Sequence, residues 1–193
     1  LTLFAGRIVF NLVAEMATRA PGLVAANPNY VKKVVFPREL LPAAALGTAL
    51  FHALAGFAVL LAALAASGRL GLWALALPLA LAPLCLFLLG LGWLLASLGV
   101  FLRDTGQAAG MAVAALLFLS PVFYPAEALP VAWRGWLYAN PLTLPIEAAR
   151  DLLIWNRPPR GGALALYGAA AAAFAWAGHA WFERTKKGFA DVL

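Results

Sequence analysis

Charged residues are scarce in this sequence. Of 193 residues, 14 are Lys or Arg and 8 are Asp or Glu, so charge accounts for 11% of the chain against 64% hydrophobic. Soluble domains average about 45–50% apolar and about 25% charged. So little polar surface cannot wet a globule of this size, and the mean hydropathy of +0.88 excludes an ordinary soluble domain. The lone Cys85 lies inside an apolar run, which excludes an internal disulfide and leaves no thiolate cluster for a metal. The sequence has no GxxxxGK[ST] loop, no HExxH and no Cys/His cluster, so it offers no recognisable machinery for hydrolysing ATP or cutting a bond. The net charge of +6 does not point to nucleic acid. The basic residues fall in short clusters between apolar runs, as in the loops of a membrane protein.

What the chain has is long apolar stretches. A membrane-crossing helix needs about 20 mostly apolar residues. Five stretches qualify or come close: Leu1 to Thr18, Leu40 to Ala66, Leu72 to Leu102, Ala108 to Tyr124 and Ala163 to Phe182. The expected fold class is therefore all-α, a polytopic membrane helix bundle forming a single domain over 1–193. Arg7 interrupts the first stretch near one end, from which it can snorkel. Pro78 and Pro83 are expected to kink the third, which a bundle tolerates where neighbours satisfy the freed carbonyls. Gly90, Gly106, Gly110 and the alanine run Ala169 to Ala173 suit close helix packing. The chain opens at Leu1 inside an apolar stretch, with no initiating Met and no signal-peptide layout. A longer product with further sequence before Leu1 is expected.

The segment 126–160 reads differently. It carries Glu127, Arg134, Glu147, Arg150, Asp151 and Arg157 among its apolar residues. Two short helices fit, one from near Pro130 and one from near Pro145 to Trp155. Proline is at home in a first turn, and Asn140-Pro141 supplies the break between them. Each is too short and too charged to cross a bilayer, so a re-entrant or interfacial hairpin is expected. With a non-crossing hairpin, the loop holding Lys32, Lys33 and Arg38, the loop holding Arg103, and the tail with Arg184, Lys186 and Lys187 share one side. That side holds every lysine in the chain, and the positive-inside rule places it, with the C-terminus, in the cytoplasm.

Local pairs have structural readings. Glu15 and Arg19 stand four residues apart and are expected to pair. Glu147 and Arg150 are expected to pair within the second hairpin helix, and Arg103 with Asp104 to close the inner end of the third span. His52 and His179 fit a helix–helix hydrogen bond or an interfacial position, with a proton-relay role as the alternative. The loop 20–38 is the most distinctive stretch. In Asn27-Pro28-Asn29-Tyr30-Val31-Lys32-Lys33-Val34-Val35-Phe36-Pro37-Arg38, basic residues alternate with Tyr30, Val34, Val35 and Phe36. Such an element either anchors on anionic lipid or pushes its apolar face into a groove on a soluble partner.

The run from Phe10-Asn-Leu-Val-Ala-Glu15 through Thr18-Arg-Ala-Pro-Gly22 to Asn27 and Pro42 resembles the permease subunits of ABC-2 type polysaccharide exporters, which carry O-antigen, capsule or teichoic-acid chains. Val100-Phe-Leu-Arg-Asp104, Leu119-Ser-Pro-Val-Phe-Tyr-Pro125, Asn140-Pro-Leu-Thr143, Ile146-Glu-Ala-Ala-Arg150 and the tail Phe182 to Asp191 are similar as well. The resemblance covers essentially the whole chain. It implies six spans in the full-length protein, with an amphipathic interface helix and a first span ahead of Leu1. It implies that the 20–38 loop docks on a separate ATPase subunit, through Asn27, Pro28, Asn29, Tyr30, Lys32, Lys33, Phe36, Pro37 and Arg38. It also implies that the 126–160 hairpin forms outer-face gate helices.

The function so implied is ATP-driven export of lipid-linked polysaccharide across the bacterial inner membrane by two copies of the chain. The chain itself is then a permease and not an enzyme, with no cofactor of its own; ATP and Mg belong on the ATPase partner. The expected partners are that ATPase, a second copy, membrane lipid and the glycan. Phe123, Tyr124, Trp133, Trp136 and Tyr138 are the candidate channel and gate aromatics, since sugar C–H faces pack on rings; an interfacial aromatic belt is the alternative. Rival readings are an ABC-2 permease for a drug or lipid, and a membrane-embedded protein of glycolipid assembly.

Overall fold

The computed structural model describes residues 1–27, 37–125, 128 and 130–192. Among these residues every regular element is helical, and the chain is a polytopic helical bundle. In order come α1 (Thr2–Arg19), α2 (Gly22–Ala25), α3 (Leu40–Ala66), a 3-10 turn (Leu72–Ala76) running into α4 (Leu77–Phe101), α5 (Thr105–Leu119), α6 (Val131–Ala139), α7 (Thr143–Leu153), α8 (Gly161–Thr185), a 3-10 turn (Lys186–Gly188) and α9 (Phe189–Val192). Among the described residues three helical stretches are long and apolar enough to cross a membrane: Leu40–Ala66, Leu72–Phe101 and Gly161–Gly188.

Two other apolar helices fall short, for different reasons. α1 has 18 residues but carries Arg7, Glu15 and Arg19. α5 has 15 residues, about 22 Å at 1.5 Å per residue against a hydrocarbon core of about 30 Å. The apolar pattern extends to Tyr124, yet the helix stops at Leu119 and Ser120 takes an extended backbone. Pro121 explains the early stop, because the residue before a proline is pushed out of helical geometry.

Local chemistry sets the other boundaries. α3 ends in a Schellman motif: the Arg69 N–H donates to Leu64 O (2.9 Å) and the Gly68 N–H to Ala65 O (3.0 Å), with Gly68 at φ +68°. Of the two prolines expected to kink the third span, Pro78 stands where the 3-10 turn passes into the α-helix. It lies in the first turn of α4, where a missing N–H costs nothing, and only Pro83 is interior.

The most extensive helix–helix contact joins α4 and α8. The pairs that define it advance together along both chains. Phe87 stacks on Phe174 (centroids 5.0 Å apart), Trp93 meets His179 edge-on (4.8 Å), and Ser97 Oγ lies 2.7 Å from Thr185 Oγ1. The two helices therefore run parallel. Small residues let their backbones approach: a Cβ on Gly90 would stand 2.8 Å from Ala175 Cα, and one on Gly178 would overlap the Gly90 carbonyl. Gly106 and Gly110, expected to pack in the same way, have none of the described residues within 4 Å of such a Cβ.

Parallel α4 and α8 fix the path of everything between them. α5 carries the chain back, so the segment from Ser120 to Arg160 leaves and returns at the same end. α6 and α7, with 9 and 11 residues, are the two short helices expected there. Their end of the bundle also holds the α3–α4 turn, where Asn156 Oδ1 accepts from the Trp73 N–H at 3.3 Å. The opposite end gathers α2, the ends of α4 and α8, and the tail around Val24, Ala96, Val100, Phe182 and Phe189.

α7 is no surface helix. Thr143, Ile146, Ala149, Leu152 and Leu153 are buried, and its chief neighbour is α1. On the same helix Arg150 is only 3% exposed. Its guanidinium reaches three carbonyls on two other segments: Nη2 donates to Val122 O (2.7 Å), Nη1 to Tyr124 O (3.2 Å) and Nε to Thr2 O (3.3 Å). Glu147 lies 4.0 Å from Nη1, so the expected helical pair is present but is the longer contact. Gly6 makes room for the clamp, since a Cβ there would meet Arg150 Nη2 at 2.9 Å.

Two outcomes follow for the full-length protein in detergent. Gly178→Val should destabilise it by about 1–3 kcal/mol through overpacking, whereas Gly47→Ala, facing open space, should be near neutral in thermal unfolding. Arg150→Met should strand buried carbonyls and cost about 3 kcal/mol, with Arg150→Lys recovering only part. Limited proteolysis of the 120–130 segment should quicken in both Arg150 variants.

Candidate functional site

Polar groups in a membrane protein mark function more often than apolar ones, and here they form three groups. The first is at the tail end. Asn27 is held by its Nδ2, which donates to Leu23 O at 2.9 Å. Pro37 is exposed. Arg38 Nη1 donates to Lys186 O at 3.0 Å, Lys186 Nζ lies 3.8 Å from Glu39 and 2.6 Å from Glu183, and Trp93 Nε1 donates to Glu39 O at 3.0 Å. The loop's C-terminal flank is thus fastened to the tail and to α4. Pro28, Asn29, Tyr30, Lys32, Lys33 and Phe36 lie outside the described residues. What is described shows that the loop's two flanks and the tail occupy one end of the bundle, as the charge pattern requires.

The second group is at the hairpin end. Phe123 and Trp136 are exposed, and Tyr124, partly buried, donates its hydroxyl to Phe118 O at 3.3 Å. The exposed Tyr138 accepts at its hydroxyl from Arg160 Nη1 at 3.0 Å. The side chain of Trp133 lies outside the described residues. Asn140, read from the sequence as a break and as part of a family-like motif, is also an organiser. Its Nδ2 donates to Ser120 Oγ (2.9 Å) and Leu119 O (3.2 Å), and its Oδ1 accepts from the Leu142 N–H (2.9 Å). Asn140 and Arg150 together tie the hairpin to the end of α5 and the start of α1. The aromatics therefore ride on a braced segment.

The third group was missed from sequence. Arg7, Asn11, Glu15 and Thr18 recur at helical spacing on α1 and form one polar stripe. The opposite face, with Ala5, Ile8, Val9, Leu12, Val13 and Met16, is buried. Arg7, Asn11 and Thr18 are exposed and Glu15 is partly so. Arg7 Nε donates to Asn11 Oδ1 at 3.0 Å, and Arg19 Nη1 to Glu15 Oε1 at 2.8 Å. His52 of α3 brings Nδ1 to 2.9 Å from Glu15 Oε2, which makes it a helix–helix contact. With Phe4, Ala49, Ala53 and Gly56 these groups line a groove of about 450 Å³. The exposed faces of α3, α4 and α8 contrast sharply, presenting Phe51, Val59, Leu79, Leu166 and Trp176. The signal was available as a period of about 3.7 in the polar residues, but the same stretch also reads as an interrupted apolar span.

Among the described residues no group of His, Cys, Asp and Glu is arranged to hold a metal ion.

Comparison with known proteins agrees with this picture. The model of the ABC-2 type transporter family matches residues 1–154. Two curated relatives, both named O-antigen export system permease protein RfbA and both from Klebsiella pneumoniae, are similar to the chain. One is 26% identical over 156 residues, covering 80% of this chain and 60% of the relative; the other is 25% identical over 154 residues, covering 79% and 60%. The chain thus spans about 60% of the length of the curated relatives it matches. A family match over most of a multi-pass helical bundle settles the class: this chain belongs to the ABC-2 type transporter family as a membrane-embedded permease component.

Proposed function

We propose that the chain is part of the membrane-spanning subunit of an ATP-driven exporter moving lipid-linked polysaccharide, O-antigen or a similar glycan, across the bacterial inner membrane. The observation that carries this reading is the similarity, over 80% of the chain, to relatives named for O-antigen export. Two copies enclose the path. A separate ATPase subunit binds ATP and Mg, and this chain contributes no cofactor.

The physical arrangement supports a division of labour between the two ends. The 20–38 loop lies on the cytoplasmic face, where Tyr30, Lys32, Lys33 and Phe36 dock on the ATPase. Force reaches the bundle through the fastened flank, Arg38 on Lys186 O and Glu39 on Trp93, at the ends of α4 and α8. Those two helices run parallel to the other end, where the braced hairpin carries Phe123, Tyr124, Trp136 and Tyr138 as ring platforms for sugar faces.

The test is complementation of a strain lacking the full-length permease. Wild-type protein should restore surface polysaccharide and co-purify with a stoichiometric ATPase. Lys32→Glu with Lys33→Glu, and separately Tyr30→Ala with Phe36→Ala, should cut export to the level of the deletion strain and lose the ATPase while membrane abundance stays normal. Export intact in both double variants would sink the docking role. Deletion cells that show no polysaccharide trapped inside on its lipid carrier would instead point to a drug or lipid cargo.

A further inference from the structure

We infer that Lys186 is a positioning residue for energy coupling: its ammonium, shared between Glu39 and Glu183, latches the C-terminal flank of the 20–38 loop to the end of α8. The loop then moves with the α4–α8 pair rather than with α1 and α3, the helices it joins in sequence. This inference rests on the reading above that the loop docks on an ATPase. It deepens that reading by naming the helices the loop drives and the residue that ties it to them.

Both flanks of the loop stand on the same two helices. On the N-terminal side, the chief neighbour of α2 is α4. Val24 is fully buried with Ala96 and Val100 of α4, Phe182 of α8 and Phe189 of the tail. The backbones meet where Pro21 passes Gly99, since a Cβ on Gly99 would overlap the Pro21 carbonyl. On the C-terminal side α4 again supplies the seat. Trp93 Nε1 donates to Glu39 O at 3.0 Å, and a Cβ on Gly92 would stand 3.1 Å from Pro42 Cβ. The tail is pinned to both helices by Phe189, whose ring lies 5.4 Å from that of Phe182 and 5.8 Å from that of Phe101.

The charges add a directed tie. Glu39 stands at the N-cap of α3, where a carboxylate can accept from the free N–H groups of its own helix, and it makes no such bond. Its carboxylate instead lies 3.8 Å from Lys186 Nζ, which is 2.6 Å from Glu183. Arg38 closes the same junction by donating to Lys186 O at 3.0 Å. Lys186 is partly buried, while its basic neighbours Arg184 and Lys187 are exposed. Ion pairs this open to solvent add little to stability. What the arrangement supplies is position, and removing it leaves the fold standing. Without the ammonium the two carboxylates repel, so the flank loses its tie to α8.

The experiment uses the full-length permease with its ATPase, in the strain lacking the native permease. Lys186→Glu should keep membrane abundance, thermal unfolding in detergent and stoichiometric ATPase at wild-type level, yet cut export several-fold. Adding Glu39→Lys, which again sets one cation between two carboxylates, should recover most of it. A covalent tie gives a second readout. Glu39→Cys with Glu183→Cys is made in a background that exports normally with Cys85 and any further cysteines replaced. In inverted vesicles this variant should export several-fold less than its background until a short bifunctional thiol reagent joins the two positions within one chain. Once joined, it should export at the background level. Wild-type export from Lys186→Glu, no recovery in the charge swap, thiols that do not join, or a joined chain that stays inactive would each overturn the latch. Loss of the ATPase from Lys186→Glu would place the residue in the docking surface instead, which also overturns it. Failure of the docking reading looks different: the Lys32/Lys33 and Tyr30/Phe36 double variants then export normally, whatever Lys186 does.

Discussion

Much of the hairpin end hangs on one buried cation. Arg150 sits in a short amphipathic helix with its guanidinium almost wholly removed from water. A buried charge costs several kcal/mol unless it is fully paired. Here the pairing is made with the carbonyls of Val122, Tyr124 and Thr2. Those of Val122 and Tyr124 need partners as well, because they lie where the chain has left helical geometry and has no ladder to bond to. One side chain thus satisfies the turn after α5 and the start of α1 together. It fixes α7 in the core rather than on the surface.

That clamp has consequences for how a permease of this family is organised. Because α7 is locked to α1, and the turn carrying Phe123 and Tyr124 is locked to both, the aromatic-bearing hairpin and the first helix form one mechanical unit. The parallel pair α4 and α8 forms a second, joined through glycine and alanine contacts that let backbones touch. Small-residue packing depends on dispersion at close range rather than on hydrophobic exclusion, which has no force between helices in lipid. The tail end is therefore joined most directly to α4 and α8, while α1 and the hairpin are braced against each other.

The polar interruptions are where the chain departs from a plain apolar bundle, and each is handled differently. Arg150 is buried and bonded to backbone. Arg38 and Lys186 are tied to each other's segment at the tail end of the bundle. The α1 stripe is left exposed along one side of its helix, with Glu15 reaching Arg19 on the same helix and His52 on α3.

The sequence by itself determined a good deal. Its composition required a membrane, its apolar run from Leu40 to Ala66 gave α3 to the residue, and Pro130 and Asn140-Pro141 marked the two short helices. These features are legible because hydropathy and proline geometry act locally. The family was legible too, from motifs in the loops. Tertiary structure alone decided the rest. Whether Arg150 pairs with Glu147 or with distant carbonyls depends on which backbone groups the fold leaves unbonded beside it. Whether a glycine serves packing depends on its neighbour: Gly90 and Gly178 touch across α4 and α8, while Gly106 and Gly110 meet none of the other described residues. The polar stripe of α1 became visible only when its other face was seen buried, because a period in sequence says which residues share a face and not what that face meets.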